Sequence, residues 1–155
     1  MISKKIKYTD YNDKTVEETF HFHLNKAELT KMNFTESGDS LVDLISEISE
    51  DNAGTRRVLD ILEQIVRASV GVKSEDGSRF IKNDDIRSKL FDTEAYSELF
   101  SELLQNPERT AKFIQGILPK ESQKELNKAL NGDDITKLSR EELIARINSA
   151  KSDDK

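Results

Sequence analysis

Cysteine and tryptophan are absent from this 155-residue chain, and proline occurs only twice. Without cysteine the chain forms no disulfide framework, thiolate zinc site, iron–sulfur cluster or cysteine nucleophile. No apolar run approaches the roughly 20 residues that a membrane-spanning helix needs. The lysine-containing start, Met1–Lys7, is not followed by the apolar segment of a signal peptide. These absences predict a soluble, intracellular protein without a membrane partner.

Charge is abundant, but positive charge is not in excess. Charged residues make up 35% of the chain, against roughly 25% in an average soluble domain. Because 24 Lys and Arg face 30 Asp and Glu, the net charge is −6. Nonspecific binding to nucleic acid requires clustered positive charge, so we expect no nucleic-acid partner. The length corresponds to about one domain.

Sequence signatures of catalysis and of cofactor binding are missing. There is no phosphate-binding glycine loop and no nucleophile elbow. His21 and His23 are the only histidines, two residues apart, and a hydrolase using either one with a metal is one hypothesis. Cross-strand pairing of these histidines on a solvated face is the simpler explanation. We therefore expect no catalytic residue, no bound metal and no cofactor.

The N-terminal residues alternate between apolar and polar side chains. Residues 2–9 place Ile6 and Tyr8 on one face, and residues 16–24 place Phe20 and Phe22 on one face. Period-two alternation is typical of a half-buried strand, and the Asn/Asp-rich segment 10–14 between the two runs is typical of a tight turn. These features predict a β-hairpin. An isolated hairpin is marginally stable in water, so its apolar face is expected to pack on the segments that follow.

After Leu24, apolar residues recur at spacings of three and four, which predicts a series of amphipathic helices. The helix over residues 58–70 has a wide apolar arc, so we expect it to be the most buried element and to end at Gly71. Other predicted helices cover residues 27–34, 39–50, 84–91, 93–105 and 107–118. The predicted fold class is α+β and mostly α: an N-terminal β-hairpin packed on a bundle of about five helices, with a mobile helical C-terminal tail.

The composition changes after Pro119. Residues 120–155 contain no aromatic residue, and their eight Lys and Arg cancel their eight Asp and Glu. We interpret residues 1–119 as a hairpin-plus-helical domain and residues 120–155 as a polar, partly helical extension.

Half of the ten aromatic residues are concentrated between Phe80 and Leu118. The simpler explanation is that these side chains fill the core. The alternative is that the helices present more apolar surface than a small core absorbs, which leaves a surface for a partner or for a second copy. The candidate partner-binding residues are Phe91, Tyr96, Leu99, Phe100, Leu103, Leu104, Phe113 and Ile117.

Three segments in this region carry a family resemblance: Asp76–Asn83 (DGSRFIKN), Phe91–Phe100 (FDTEAYSELF) and Phe113–Pro119 (FIQGILP). Together with Phe22–Leu29 (FHLNKAEL), they resemble the tail assembly chaperones of long-tailed, siphovirus-type bacteriophages. The resemblance covers residues 1–119, and residues from Lys120 onward lie outside it.

The resemblance implies a non-enzymatic protein of the host cell cytoplasm that is not part of the mature virion. It implies binding to the tape measure protein, which is kept soluble while tail tube protein polymerises around it, and a longer product made by frameshifting. We also expect a homo-oligomer, because apolar stripes on repeated copies suit an elongated client. The alternative hypothesis is a small acidic protein-binding or inhibitor module that is unrelated to virion assembly and presents acidic helices to a basic partner.

Overall fold

The computed structural model describes residues 1–32, 56–129, 141, 142 and 145. The strands are β1 (Ile2–Thr9), β2 (Thr15–Phe22), β3 (Val70–Lys73) and β4 (Phe80–Ile81). The helices are α1 (Lys26–Lys31), α2 (Arg56–Ser69), α3 (Asp84–Phe91), α4 (Glu94–Gln105), α5 (Pro107–Ile117) and α6 (Lys120–Ala129). The predicted α+β, mostly α class is confirmed. The helix predicted over residues 39–50 lies outside the described residues.

The predicted N-terminal hairpin is confirmed. β1 and β2 pair antiparallel from Ile2 opposite Phe22 to Thr9 opposite Thr15. The turn is held by the Asp10 carboxylate, whose Oδ1 accepts hydrogen bonds from the backbone N–H of Asn12 at 2.8 Å and of Lys14 at 3.0 Å. This is the local bonding that favours Asp in turns. The apolar face of the hairpin is buried at the positions that alternation predicts: Ile6, Tyr8, Phe20 and Phe22.

Two short strands extend the hairpin into a sheet of order β1-β2-β3-β4. The prediction that the preceding helix continues through Val70 to Gly71 is wrong, because α2 ends at Ser69 and Val70 begins β3. Gly71 pairs with His21 in β2, and an added Cβ at Gly71 would lie 2.7 Å from the carbonyl oxygen of Ile81. Glycine is therefore what allows β3 to approach β4 this closely.

Among the described helices the most buried is α5, not α2. Seven of the eleven residues of α5 are buried, against five of the fourteen residues of α2. α5 lies against the sheet: the ring of Phe113 meets Phe22 edge-on at 5.1 Å between centroids, and an added Cβ at Gly116 would lie 2.9 Å from the Cβ of Ile2. The backbone of α5 thus packs directly on the Ile2 side chain at this glycine, where a larger residue would not fit.

The first helix of the polar C-terminal region packs on the body. In α6 the side chain of Leu126 is fully buried, and the Gln123 side-chain amide donates to the carbonyl of Leu118 at 2.9 Å. An ion pair joins Lys26 Nζ of α1 to Glu121 Oε2 at 2.9 Å. A domain boundary at residue 120 remains a prediction.

Candidate partner-binding surface

α4 carries most of the predicted partner-binding residues, and local sequence fixes both of its ends. Thr93 has the extended backbone of an N-cap residue, but its hydroxyl donates back to the carbonyl of Lys89 at 2.9 Å and thereby joins α3 to α4. At the other end α4 stops at Gln105, and Pro107 occupies the first position of α5. The backbone N–H of the first helical residue has no partner within the helix, so a proline, which lacks that N–H, is well tolerated there.

Two parallel stripes of apolar side chains run along α4. Ala95, Leu99 and Leu103 form one stripe, and all three are fully buried. The neighbouring stripe, one position later in the sequence, consists of Tyr96, Phe100 and Leu104, which are only partly buried. Residues four apart lie on one face of a helix, so each stripe is continuous over the length of α4.

The partly buried stripe continues onto α3 through an aromatic row, defined here as Phe91, Tyr96 and Phe100. The ring centroids of Phe91 and Tyr96 are 4.4 Å apart, and those of Tyr96 and Phe100 are 5.3 Å apart. On the α2 side, the guanidinium carbon of Arg67 lies 4.2 Å from the centroid of Phe91. Arg67 also pairs with Glu63 at 3.1 Å between Nη2 and Oε1. The row is thus a continuous aromatic surface with a charged border.

Tyr96 is the one side chain of the aromatic row that can ionise, and it is neutral at physiological pH. Burial, with a smaller contribution from the Glu63 carboxylate, raises the pKa of Tyr96 to about 12. The Tyr96 hydroxyl therefore remains protonated, and the row presents uncharged ring surface beside the Glu63–Arg67 pair. Sequence reasoning missed this pair, although its spacing of four residues on a helix is a recognisable signal.

The structure divides the eight predicted partner-binding residues into two groups. Leu99 and Leu103 are 0% exposed, and Phe113 and Ile117 are 1% exposed. These four side chains are part of the core, so in this structure they offer almost no surface to a partner, and their role in binding stays a prediction. Phe91, Tyr96, Phe100 and Leu104 remain candidates, because each keeps part of its side chain at the surface.

The two histidines lie in different surroundings. His21 is within β2, and its Nδ1 lies 2.8 Å from the Ser3 hydroxyl. His23 follows the strand, packs edge-on against Phe80 at 5.9 Å, and has a buried Nδ1 with no hydrogen-bond partner in the described part of the chain. Burial, aided by the positive charge of the N-terminus and of Lys82, lowers the pKa of His23. Lys82 Nζ donates to the His23 carbonyl at 2.7 Å and also contacts Glu28.

Within residues 1–32, 56–129, 141, 142 and 145, no three His, Asp or Glu side chains come together as metal ligands. The histidine-based metal hydrolase therefore gains no support from the described residues. The same residues include no helix that is long and apolar enough to cross a membrane.

No curated protein and no solved structure gives a significant match to this chain. A protein family described as phage tail assembly chaperone has a model that matches residues 1–155. The match agrees with the resemblance seen in the sequence, and it extends over residues 120–155, which that resemblance left out. It covers the hairpin, the helices with the aromatic row, and the polar C-terminal region. The chain therefore belongs to the phage tail assembly chaperone family.

Proposed function

We propose that this chain binds the tape measure protein of a phage tail, keeps it soluble, and promotes polymerisation of tail tube protein around it. The chain acts without catalysis, in the host cell cytoplasm, and is not part of the mature virion. Its family membership supports a role in tail assembly. The observation that carries the finer proposal is the aromatic row, which is held in place by two helices and is only partly buried.

The row has the chemistry expected of a surface that receives an apolar helix. Aromatic side chains present a large contact area and lose little conformational freedom on binding, because they have few rotatable bonds. Leu104 extends the surface by one helical turn beyond Phe100, so an amphipathic client helix can align its apolar positions along it. The Arg67–Glu63 pair at the border offers polar contacts to the edge of such a helix.

The net charge complements this surface. A holdase keeps an aggregation-prone client in solution, which requires charge repulsion between complexes. The chain's net charge of −6 supplies that repulsion. Self-association into a homo-oligomer would place several aromatic rows along one elongated client, which is the arrangement that we propose. A longer frameshifted product that recruits tail tube protein, and a boundary between the domain and its extension at residue 120, belong to the same proposal.

Co-expression tests the proposal. The tape measure protein encoded in the same genome is expressed with the wild-type chain, with Phe100→Asp, or with Tyr11→Asp. Tyr11 is a matched control because it is an aromatic residue in the hairpin turn, 76% exposed and remote in sequence from the row. We expect soluble complex with wild type and with Tyr11→Asp, and loss of the complex with Phe100→Asp, since a carboxylate in the contact is desolvated without a partner.

Circular dichroism of each purified variant separates loss of binding from loss of folding. A folded Phe100→Asp variant that still solubilises the client would remove the aromatic row from the proposal. If the wild-type chain kept no tape measure protein in solution, the proposal that this protein is the client would be wrong. In that case the acidic protein-binding module would become the better hypothesis.

A further inference from the structure

Within the part of the chain that the structure describes, the first strand of the sheet has an unpaired edge. β1 is eight residues long, stands first in the order β1-β2-β3-β4, and pairs there with β2 alone. No backbone hydrogen bond reaches its other edge from residues 1–32 or 56–129. The opposite edge of the sheet is different, because β4 has only two residues. A long open edge is a template for another strand.

The ladder identifies which backbone groups face outward. The N–H of Asp10 donates to the carbonyl of Lys14 at 2.8 Å, which makes this a hydrogen-bonded pair. Such pairs alternate along an antiparallel ladder, so the even-numbered residues of β1 bond to β2. The backbone N–H and C=O groups of the odd-numbered residues therefore point to the open edge. These residues are Ser3, Lys5, Lys7 and Thr9.

A polar groove of about 350 Å³ runs beside this edge. One wall is the Lys5–Lys7 segment of β1, and Arg109 of α5 lies at one end. The other wall is formed by α4, with the polar side chains of Ser101 and Gln105 and the carboxylates of Glu98 and Glu102. On α4 this wall and the aromatic row flank the buried stripe on opposite sides, as the 3.6-residue helical repeat requires. The groove is therefore separate from the proposed client surface.

The ion pairs around the groove neutralise some of its charged side chains more fully than others. Glu102 is held by two cations, at 2.6 Å from Lys4 Nζ and 2.9 Å from Arg109 Nη1. Lys5 has only a 3.5 Å contact with the exposed carboxylate of Glu17. Lys7 has no ion pair with any residue of the described ranges. The β1 side of the groove is consequently basic at Lys5 and Lys7, whereas the α4 side carries the Glu98 carboxylate. An acidic side chain on an added strand is therefore favoured on the face that Lys5 and Lys7 share, away from α4.

We propose that the open edge of β1 binds an extended segment of another protein as an added antiparallel strand, with acidic residues at alternate positions opposite Lys5 and Lys7. Backbone hydrogen bonds supply affinity, and the charge pattern supplies selectivity. The polar side chains of Ser101 and Gln105 face the other side of the added strand. A second copy of β1 is a poor occupant, because antiparallel pairing of two such strands brings lysines together.

The probe is a short synthetic peptide that alternates glutamate with serine, threonine or glutamine. It is titrated to millimolar concentration into the full chain, and backbone amide chemical shifts are followed by NMR. We expect the amides of Ser3, Lys5, Lys7 and Thr9 to shift, because their N–H groups gain acceptors. Peptides with N-methyl groups on alternate residues give the sharpest control, because each methyl group removes one backbone N–H donor. Methylation of the residues whose N–H groups face β1 should abolish binding, and methylation of the other residues should preserve it.

Charge reversal on the protein provides the second control. Lys7→Glu is expected to weaken peptide binding about fivefold, as loss of a favourable cross-strand pair and gain of a repulsive one imply. Lys73→Glu, an exposed strand lysine on β3, should leave binding unchanged. A peptide with lysine in place of glutamate should bind more weakly than the acidic peptide.

Three results would overturn the proposal: no shift of the β1 amides at millimolar peptide, binding that tolerates N-methylation of either edge, or equal effects of Lys7→Glu and Lys73→Glu. Since the aromatic row lies elsewhere on α4, a negative result here leaves the proposed client binding standing. Failure of the co-expression test likewise leaves the edge proposal untouched.

Discussion

Leu99 and Phe100 are neighbours in the chain, and both are large apolar residues on α4, but they lie in different surroundings. Leu99 is fully buried between the helix and the rest of the core, whereas Phe100 is partly buried in a row of aromatic rings. The same contrast separates Leu103 from Leu104. The buried stripe belongs to the core, and the partly buried stripe is the one that we propose for partner binding. Hydrophobicity is shared by the two stripes and does not distinguish them.

The largest expected effect tests this contrast directly. Leu99→Ala should lower the free energy of unfolding by about 3 kcal/mol, because it leaves a cavity in the core. Phe100→Ala removes more atoms but should lower it by only about 1 kcal/mol, since part of the ring is already in water. Urea denaturation of both variants measures the two values. If Phe100→Ala proved as costly as Leu99→Ala, the two stripes would be a single core.

A smaller effect is expected where α4 is joined to α5. The Thr110 hydroxyl is buried and donates to the carbonyl of Leu103 and, at 3.1 Å, to that of Asn106. Thr110→Val keeps the shape of the side chain but removes the donor, so unfolding should become easier by about 1 kcal/mol. The variant should still bind client, because the aromatic row is unchanged. Unaltered stability in urea would show that this hydrogen bond contributes nothing measurable.

The effect that is smallest at neutral pH concerns Tyr96, whose titration makes stability depend on alkaline pH. The pKa of Tyr96 is raised to about 12, first by burial and second by Glu63, whereas a tyrosine in an unfolded chain titrates near 10. The unfolded state therefore releases the proton first, and stability should be constant below pH of about 10 and fall between about 10 and 12. Tyr96→Phe should remove this part of the slope. Equal pH profiles for the variant and wild type would place the Tyr96 ring in open solvent.

Much of the fold follows from local patterns in the sequence. The hairpin was predictable because its strands alternate with period two and Asp10 closes the turn through its own side chain. Asn25 and Asn83 cap α1 and α3, because the side-chain oxygen of each accepts a hydrogen bond from the backbone N–H three positions on. In each of these cases, residues close in sequence make the deciding contacts.

Other features depend on contacts between distant segments, and the sequence pattern does not contain them. Val70 continues an apolar helical pattern but joins a strand, because β2 offers an edge on which Phe22 pairs with it. Periodicity placed Leu99 and Phe100 side by side on α4 without deciding which one faces the body. That decision comes from the packing of β1 and α5, so half of the predicted partner-binding residues proved to be core.

The close approach of Gly116 to Ile2 bears on how the molecule opens. The first strand and the most buried helix touch at this point, and the backbone N–H of Leu24 bonds to the carbonyl of Ile117 at 2.7 Å nearby. Separating the hairpin from the helices would expose the Phe22–Phe113 contact at the same time. We therefore expect the hairpin and α5 to open together as one cooperative unit. The client proposed above is then expected to bind a surface that is already formed in the folded chain, without unfolding of the chaperone to expose one.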